Sequence, residues 1–356
     1  MYSNNILKIN IFTLLILLVI LLIMFVAVGC NKPQEPVLDP EDNNIDDLED
    51  FENSQLLIEP VVCPLCGELV EKRLIEGKRP IAVMIDNHPS ARPQSGLSEA
   101  DLVYEIPFEG GITRFFAVYL HNDDATEIGP VRSARHNCLD LVLEYNAIYV
   151  YYGGSPQAWD QIEKLKIEGM NGIYDCVTFY RYPGRKEPHD KYTNIERINI
   201  TARNKGFDKK TGKRKFSFNE EDMVPNGESA EFISIKYPVK YTVMYKYDPT
   251  AGNYLRNINE EPHLDAVSET QIRTKNIIIQ FVNFKVIDSE GRLDIMMVGK
   301  GKGFYISNGS ITEIKWEKDS RSSATRFIGK DDKEINLNPG KTWIHLVSSN
   351  TKVSYE

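Results

Sequence analysis

Residues 79–120 read RPIAVMIDNHPSARPQSGLSEADLVYEIPFEGGITRFFAVYL, and this stretch decides the fold. Residues 81–85 form a continuous apolar run, which predicts a strand covered on both faces of a sheet. Residues 102–106 and 114–120 are rich in β-branched and aromatic side chains, and the Glu-Gly-Gly segment at 109–111 lies between them. These two runs therefore predict a β-hairpin beside the first strand.

Two helices are predicted after this sheet. The Gly-Pro pair at 129–130 suits the start of the first helix, and apolar residues recur at helical spacing through residues 131–145. A strand is predicted over residues 147–152, and the Ser-Pro pair at 155–156 suits the cap and first turn of the second helix. This alternation predicts a mixed α/β domain over residues 61–205.

The pattern changes in the second half of the chain. Residues 206–230 are polar and predict a linker. Residues 231–356 contain many short β-rich runs separated by turns, without a long helical pattern, and predict a mainly-β domain that is a sandwich or a partly open barrel. The predicted fold class is thus α+β, a mixed α/β N-terminal domain followed by a mainly-β C-terminal domain.

The N-terminus predicts membrane attachment. An apolar run over residues 11–28 follows Lys8 and closes on small residues before Cys30, which is the layout of a lipoprotein signal. Residues 1–30 are therefore predicted to be the signal peptide, with Cys30 as the lipidation site. An uncleaved membrane anchor is the alternative, and both interpretations place the rest of the protein at the extracytoplasmic side of a membrane.

Charge is distributed very unevenly along the chain. Residues 31–60 carry ten carboxylates against the single cation Lys32, which predicts a solvated, disordered tether. Residues 61–356 carry 40 basic and 41 acidic groups, so the folded body is nearly neutral. A near-neutral exported body argues against nucleic acid as a partner and leaves a cell-wall polymer or an envelope protein.

The paired cysteines in the segment Cys63-Pro-Leu-Cys66-Gly are typical of half a zinc ribbon. The other cysteines of the body, Cys138 and Cys176, do not form a second pair at such a spacing, and tetrahedral zinc needs four ligands. We therefore predict neither a metal site nor a cofactor. The cysteine pair can be a disulfide or two free thiols, and the sequence does not decide its redox state.

Several arginines are candidates for anion binding. Arg132 and Arg135 are predicted near the N-terminal end of the first helix, where the helix dipole disfavours cations. They either pair internally with Glu105 or Glu109, or bind an external anion. The full set of candidate ligand-binding residues is Asn87, Arg92, Arg114, Arg132 and Arg135.

A catalytic interpretation rests on other residues. Asp86 follows a predicted buried strand, and open α/β sheets bind ligands beyond the carboxyl ends of their strands. Asp86 with Glu105 or Glu109 as acid–base groups, and His189 as a helper, can serve an envelope hydrolase that acts on glycan or peptide wall material. Ordinary turn chemistry beside Pro89 is the alternative explanation for Asp86.

Several longer motifs make the chain resemble the YerB-type lipoproteins. The motifs include Arg79-Pro-Ile-Ala-Val-Met-Ile-Asp-Asn-His, Ile128-Gly-Pro-Val-Arg-Ser-Ala-Arg, Pro188-His-Asp and Pro339-Gly-Lys-Thr-Trp. The resemblance covers most of residues 63–348. It implies a lipid-anchored, two-domain protein and supplies no activity. It also implies a Pro-Leu-Thr-Gly segment where this chain has its cysteine pair, which argues further against a metal.

Two functional hypotheses follow. The first is a non-catalytic module that binds an anionic wall-derived or protein ligand through the candidate arginines. The second is the envelope hydrolase. A hydrolase needs a cleft in which an ionisable pair is not neutralised by arginines, whereas a binding module can use its carboxylates to hold those arginines.

Overall fold

The structure, a computed structural model, describes residues 60–122, 125–209 and 216–356. The predicted signal peptide, Cys30 and nearly all of the predicted tether lie outside the described residues. Within the described ranges, a mixed N-terminal domain precedes a mainly-β C-terminal domain, and no sheet closes into a barrel. The predicted fold class is confirmed. In these ranges no helix is both long and apolar enough to cross a membrane.

The N-terminal domain contains short strands and three α-helices. Single-turn 3-10 helices lie at Lys72–Leu74, Pro89–Ala91, Leu97–Glu99, Glu109–Gly111 and Phe207–Lys209. The strands are β1 (Pro60–Val62), β2 (Leu69–Glu71), β3 (Ile81–Asp86), β4 (Leu102–Pro107), β5 (Thr113–Tyr119), β6 (Ile148–Tyr151), β7 (Gly169–Asn171), β8 (Tyr180–Arg181) and β9 (Lys191–Tyr192). The helices are α1 (Cys138–Tyr145), α2 (Pro156–Lys164) and α3 (Ile195–Lys205).

The C-terminal domain is built from strands. They are β10 (Glu228–Ser229), β11 (Phe232–Tyr237), β12 (Tyr241–Asp248), β13 (Asn253–Ile258), β14 (Glu261–Pro262), β15 (Arg273–Thr274), β16 (Asn276–Phe281), β17 (Asn283–Val286), β18 (Leu293–Met296), β19 (Gly299–Ser307), β20 (Ser310–Lys318), β21 (Arg326–Ile328), β22 (Thr342–Val347) and β23 (Lys352–Tyr355). The many short β-rich runs predicted over residues 231–356 are thus strands in the structure.

One 11-stranded sheet runs through both domains. Its order is β10-β20-β19-β16-β22-β4-β5-β3-β6-β7, with β21 paired to β20. Strand β22 lies between β16 of the C-terminal domain and β4 of the N-terminal domain, and it pairs in parallel with both. The predicted hairpin is confirmed, because β4 and β5 pair antiparallel across residues 107 and 113.

Helices cover both faces of the N-terminal part of this sheet, which explains the unbroken apolar run of β3. Ala82 and Met84 face the same core as Tyr145 of α1, while Val83 on the opposite face shares its core with Ile198 of α3. Side chains of a strand alternate between faces, so adjacent residues at a strand end serve different cores. This alternation separates the polar side chains described below.

The C-terminal domain is a sandwich. A six-stranded antiparallel sheet of order β14-β13-β12-β11-β23, with β15 paired to β13, packs on the C-terminal part of the large sheet. The shared core contains Ile235 and Val243 from the smaller sheet and Ile277, Ile279 and Val347 from the larger one. Of the two predicted architectures, the sandwich is the observed one.

The prediction that a helix begins at residues 129–130 is wrong. The Val131 N–H donates to the Lys191 carbonyl at 2.6 Å, and the Arg132 N–H donates to the Met84 carbonyl at 2.8 Å. The segment therefore runs extended beside the end of β3, and tertiary hydrogen bonds satisfy its backbone. Helix α1 begins only at Cys138. The second helix is as predicted, because the Ser155 hydroxyl accepts the Ala158 N–H at 3.2 Å.

Candidate functional site

Polar side chains at the carboxyl end of β3 fall into two groups on opposite faces of the sheet. Asp86 and its cross-strand partner Arg114 lie on the face covered by α1. Asn87 and Glu105 lie on the other face, toward the C-terminal domain. We call the first group the carboxyl-edge cluster; it consists of Asp86, Glu109, Arg114, Arg132, Arg135 and His189. We call the second group the junction network; it consists of Asn87, Arg92, Gln94, Glu105, Thr113, Tyr237, Tyr241, Tyr245, Arg256, His263 and His345.

Asp86 is the centre of the carboxyl-edge cluster. Its Oδ2 lies 2.7 Å from Nδ1 of His189 and 3.2 Å from Nε of Arg132, and its Oδ1 accepts the His88 N–H at 2.9 Å. The carboxylate side chain is 3% exposed, whereas the Arg132 side chain is 24% exposed. The carboxylate therefore contacts a histidine and an arginine that reach closer to solvent than it does, although the arginine Nε makes no hydrogen bond to a described residue.

The imidazole of His189 is held in a fixed orientation. Its ring stacks on that of His88, with centroids 5.0 Å apart and planes 16° from parallel. Nδ1 is engaged by Asp86, while Nε2 makes no hydrogen bond to any described residue. The free ring nitrogen can bind an anion when the ring is protonated, or accept a proton when it is neutral.

Glu109 binds two arginines. Its Oε2 accepts from Nε of Arg135 at 3.2 Å, its Oε1 contacts Nη2 of the same side chain, and Nη2 of Arg114 lies 3.3 Å from Oε1. Burial acts to raise the pKa of Glu109, but the hydrogen bond from Arg135 and the charges of both arginines hold it below its ordinary value. This carboxylate is ionised and fully used in holding cations.

Arg114 is a buried support for this arrangement. Its Nη1 donates to the Ser133 carbonyl at 2.9 Å, and its guanidinium lies over the Phe108 ring at 5.0 Å. Burial, and next the charge of Arg135, lower the pKa of Arg114 to about 10, so the group is still a cation at neutral pH. Of the three arginines in the cluster, Arg132 is the most exposed.

Arg132 and Arg135 therefore do not lie on a helix. They project from the extended segment that crosses the end of β3, as shown by the bridges of Ile85 with Val131 and of Ala134 with Gly154. The helix-dipole argument for their placement does not apply. Internal pairing and partial solvent exposure are combined here: Arg135 is held by Glu109, while Nη2 of Arg132 makes no hydrogen bond to a described residue.

The junction network is centred on Glu105, which is fully buried. Its Oε2 accepts from Nη2 of Arg256 at 2.7 Å, and its Oε1 accepts from the hydroxyls of Tyr241 at 2.6 Å and Thr113 at 2.7 Å. Burial opposes ionisation, but the charge of Arg256 and then that of His345 keep the pKa of Glu105 below its ordinary value. A carboxylate without exposed surface cannot touch a substrate.

Other members of the junction network link the two domains. Arg256 lies 4.5 Å over the Trp343 ring and contacts Nδ1 of His263, whose Nε2 faces Oε1 of Gln94 at 2.8 Å. The ring nitrogens of His345 face the hydroxyls of Tyr237 at 3.0 Å and Tyr245 at 2.8 Å. Burial lowers the pKa of His345 to about 4. This network is internal structure rather than a ligand site.

Asn87 and Arg92, two of the candidate ligand-binding residues, are placed in the junction network. The Asn87 amide donates to the Tyr241 hydroxyl at 2.7 Å, and Nε of Arg92 donates to Oδ1 of Asn87 at 3.0 Å. The Arg92 guanidinium lies 5.0 Å over the Tyr241 ring. Strand alternation sends the side chain of Asn87 away from that of its neighbour Asp86, which the sequence pattern alone does not reveal.

The proposed acid–base pairs are not free carboxylates. Asp86 and Glu105 lie on opposite faces of the sheet, so the two cannot flank one bond of a substrate. Glu109 shares a face with Asp86, but both carboxylates are neutralised by arginines. Arg256 is not identifiable from the sequence pattern, because its contact with Glu105 spans 151 residues of the chain. Only the topology brings those two charges together.

Cys63 and Cys66 are buried free thiols. Instead of a second cysteine pair, Asp101 and His121 complete a group of four potential ligands with them. The prediction that the chain lacks a metal site considered only a second cysteine pair, and it stays a prediction; Asp101 and His121 are the two further potential ligands that it did not consider. His121 and Asp101 lie on either side of the β4–β5 hairpin, and a search for ligands next to cysteines in sequence does not find them.

Known proteins match both the N-terminal and the C-terminal domain of this chain. Residues 65–208 match the N-terminal domain, and residues 233–344 the C-terminal domain, of the family described as "Protein of unknown function (DUF3048)". The chain is 36% identical over 289 residues to the "Putative lipoprotein YerB" of Bacillus subtilis (strain 168), covering 80% of this chain and 85% of that relative. The crystal structure of the YerB protein from Bacillus subtilis matches with a TM-score of 0.74 at 34% identity, over 83% of this chain and 99% of that one.

Proposed function

This chain belongs to the DUF3048 family of unknown function, and from that premise we propose that its body is a non-catalytic module that binds an anionic, wall-derived ligand at the carboxyl-edge cluster. The ligand would meet Nη2 of Arg132 and Nε2 of His189, two groups without hydrogen-bond partners among the described residues. A guanidinium N–H donates charge-assisted hydrogen bonds to phosphate and carboxylate oxygens, and Nη2 of Arg132 can make them. The convergence of these two side chains on the buried Asp86 is the observation that carries the proposal.

The balance of charge supports anion binding over hydrolysis. Three arginines share two carboxylates, Asp86 and Glu109, so the cluster has an excess of positive charge at neutral pH before any protonation of His189. Each carboxylate already pairs with a cation, which suits the holding of arginines better than acid–base work. The location also supports binding, since open α/β sheets place ligands beyond the carboxyl ends of their strands.

One observation favours the hydrolase as a second candidate. The 2.7 Å contact between Asp86 and Nδ1 of His189, with Nε2 free, is the arrangement of an oriented general base. Such a base would have to activate water, because no described serine or cysteine hydrogen-bonds to Nε2 of His189. A binding module would release a bound wall fragment intact, whereas a hydrolase would release it in cleaved form.

Thermal unfolding of the full chain in detergent tests the binding proposal. A ligand that binds only the native state raises Tm. We therefore expect Tm to rise with glycerol-phosphate oligomers if the ligand is a phosphate, or with peptidoglycan fragments if it is a carboxylate. The shift should vanish in the Arg132→Ala/Arg135→Ala variant. Arg326→Ala is the matched control, because this exposed arginine pairs with Glu317 in the C-terminal domain. An unchanged Tm across the panel would contradict a wall-derived ligand.

We also propose that Cys30 carries the lipid that holds the protein at the extracytoplasmic face of the membrane. The similarity to a relative named as a lipoprotein supports attachment, and the residues before Cys30 support that position. Metabolic labelling with a fatty acid should mark the wild-type chain and not Cys30→Ser. Protease added to intact cells should digest the body, whereas protection of the body would contradict the proposed side.

A further inference from the structure

Four metal-ligating side chains converge beneath the β1–β2 hairpin, apart from the carboxyl-edge cluster. Cys63 and Cys66 come from the loop between β1 and β2, Asp101 precedes β4, and His121 follows β5. All four are buried, and their ligand atoms lie within 4.8 Å of one another. Two thiols, one imidazole and one carboxylate form a donor set suited to zinc. We propose that these four residues bind one zinc ion as a structural site.

The distances fit a tetrahedral ion. Zinc–ligand bonds of about 2.0–2.3 Å at tetrahedral angles place neighbouring ligand atoms about 3.3–3.8 Å apart. Sγ of Cys66 lies 3.6 Å from Nδ1 of His121, and Sγ of Cys63 lies 3.8 Å from Oδ1 of Asp101. Nδ1 of His121 and Oδ1 of Asp101 are in direct contact, so this edge is too short for an ion and these two side chains would have to move apart to bind it.

One backbone hydrogen bond and one nearby carboxylate surround the ligands. Oδ2 of Asp101 accepts the Leu120 N–H at 2.6 Å, which fixes the carboxylate with Oδ1 toward the cluster. Nε2 of His121 lies 3.6 Å from Oε2 of Glu68, while Nδ1 faces the thiols. A carboxylate behind the second ring nitrogen fixes the imidazole orientation of many metal-bound histidines.

The cysteine loop is a tight turn fixed to the body. The Gly67 N–H donates to the Cys63 carbonyl at 2.8 Å, and the Gly340 N–H donates to the Cys66 carbonyl at 2.7 Å. Gly67 has a φ of +75°, and a Cβ at this position would lie 2.4 Å from the Phe218 ring. Glycine is therefore required for the turn that presents both thiols to the same point.

Four protein ligands close the coordination sphere, which distinguishes a structural zinc site from a catalytic one. The ion would tie the β1–β2 hairpin, the first described element of the chain, to both ends of the β4–β5 hairpin. A disulfide between Cys63 and Cys66 is the competing use of the same thiols in an oxidising compartment. The presence of His121 and Asp101 beside the thiols favours the ion, because a disulfide needs neither.

Metal analysis of the full chain, purified in detergent without added chelator, tests this proposal. We expect about one zinc per chain, and a cobalt(II)-exchanged form with the visible bands of tetrahedral cobalt and a thiolate charge-transfer band. Cys63→Ser and His121→Gln should lose both signals. Cys176→Ser is the matched control and should keep them, because Cys176 is an exposed free thiol outside the cluster.

Two further measurements keep the test decisive if a ligand variant does not fold. Glu68→Gln leaves all four ligands in place and should weaken zinc affinity by about 10–100-fold. Removal of zinc from the wild-type chain should lower Tm by about 5 °C or more. A folded, reduced chain without stoichiometric zinc or cobalt bands would overturn the proposal, and so would a Cys63–Cys66 disulfide in protein isolated from cells.

Discussion

Glu105→Gln should destabilise the protein far more than its single lost charge suggests. Glu105 and Arg256 have no exposed side-chain surface and pair at 2.7 Å. Removal of one partner of a buried pair leaves the other charge uncompensated, at a cost of about 3–5 kcal/mol. The remaining contacts of Arg256, which include His263, the Tyr241 hydroxyl and the Trp343 ring, do not replace an anion. We therefore expect the free energy of unfolding to fall by about 4 kcal/mol.

Urea denaturation of single and double variants measures this cost. Arg256→Met in the Glu105→Gln background removes the stranded charge, so the double variant should lose less than the sum of the singles, with a coupling of about 2 kcal/mol or more. Glu317→Gln is the matched control at an exposed pair, and its cost should stay below about 1 kcal/mol. The reasoning would be refuted if Glu105→Gln lowered the free energy of unfolding by no more than Glu317→Gln does. It would also be refuted if the losses of the two single variants added strictly in the double variant.

Three further predictions concern stability. Burial lowers the pKa of His345 from its ordinary value of 6.5 to about 4, so acidification from pH 6.5 to 4 favours the unfolded chain; urea titrations between pH 7 and pH 5 should show that the wild type loses about 2 kcal/mol more unfolding free energy than His345→Gln. Lys318→Met removes the buried cation that donates to Glu144 at 2.6 Å, while the hydrogen bonds from Thr325 to Glu144 remain; loss of the cation should cost about 3–5 kcal/mol in unfolding free energy, whereas Lys315→Met at an exposed pair should cost less than about 1 kcal/mol. Gly301→Ala should cost about 1–3 kcal/mol, because its Cβ would lie 2.5 Å from Nε1 of Trp316, and an unchanged Tm would contradict that packing.

The elements of the fold could be predicted where one local pattern controlled the outcome. The apolar run of β3 and the Ser155 cap of α2 depend on burial and capping within a few residues, and both are present. The segment after Gly129 could not be predicted, because hydrogen bonds to Met84 and Lys191 decide its extended conformation. Its apolar residues face a core, but their spacing resembles that of a helix by coincidence.

Individual residues of the candidate site could be predicted from the sequence, but which of them lie together could not. Sequence analysis selected Asp86, Arg132 and His189, and the structure brings them together at the end of β3. It also grouped Asp86 with Glu105, which strand alternation places on the opposite face. The contacts from Glu105 to Arg256 and from Cys66 to His121 join distant parts of the chain. Such contacts depend on topology, which the sequence pattern did not specify at residue level.

Calorimetric titration of the full chain with whichever wall fragment raises Tm tests the binding proposal most directly, with mass spectrometry of the ligand recovered afterwards. Each charge-assisted hydrogen bond contributes about 1.5–3 kcal/mol, so we expect one site per chain and an affinity weakened about 100-fold or more in Arg132→Ala/Arg135→Ala. The ligand should be recovered intact, and Arg326→Ala should bind like the wild type. Equal affinity in the double variant, or a ligand recovered in cleaved form, would contradict the account.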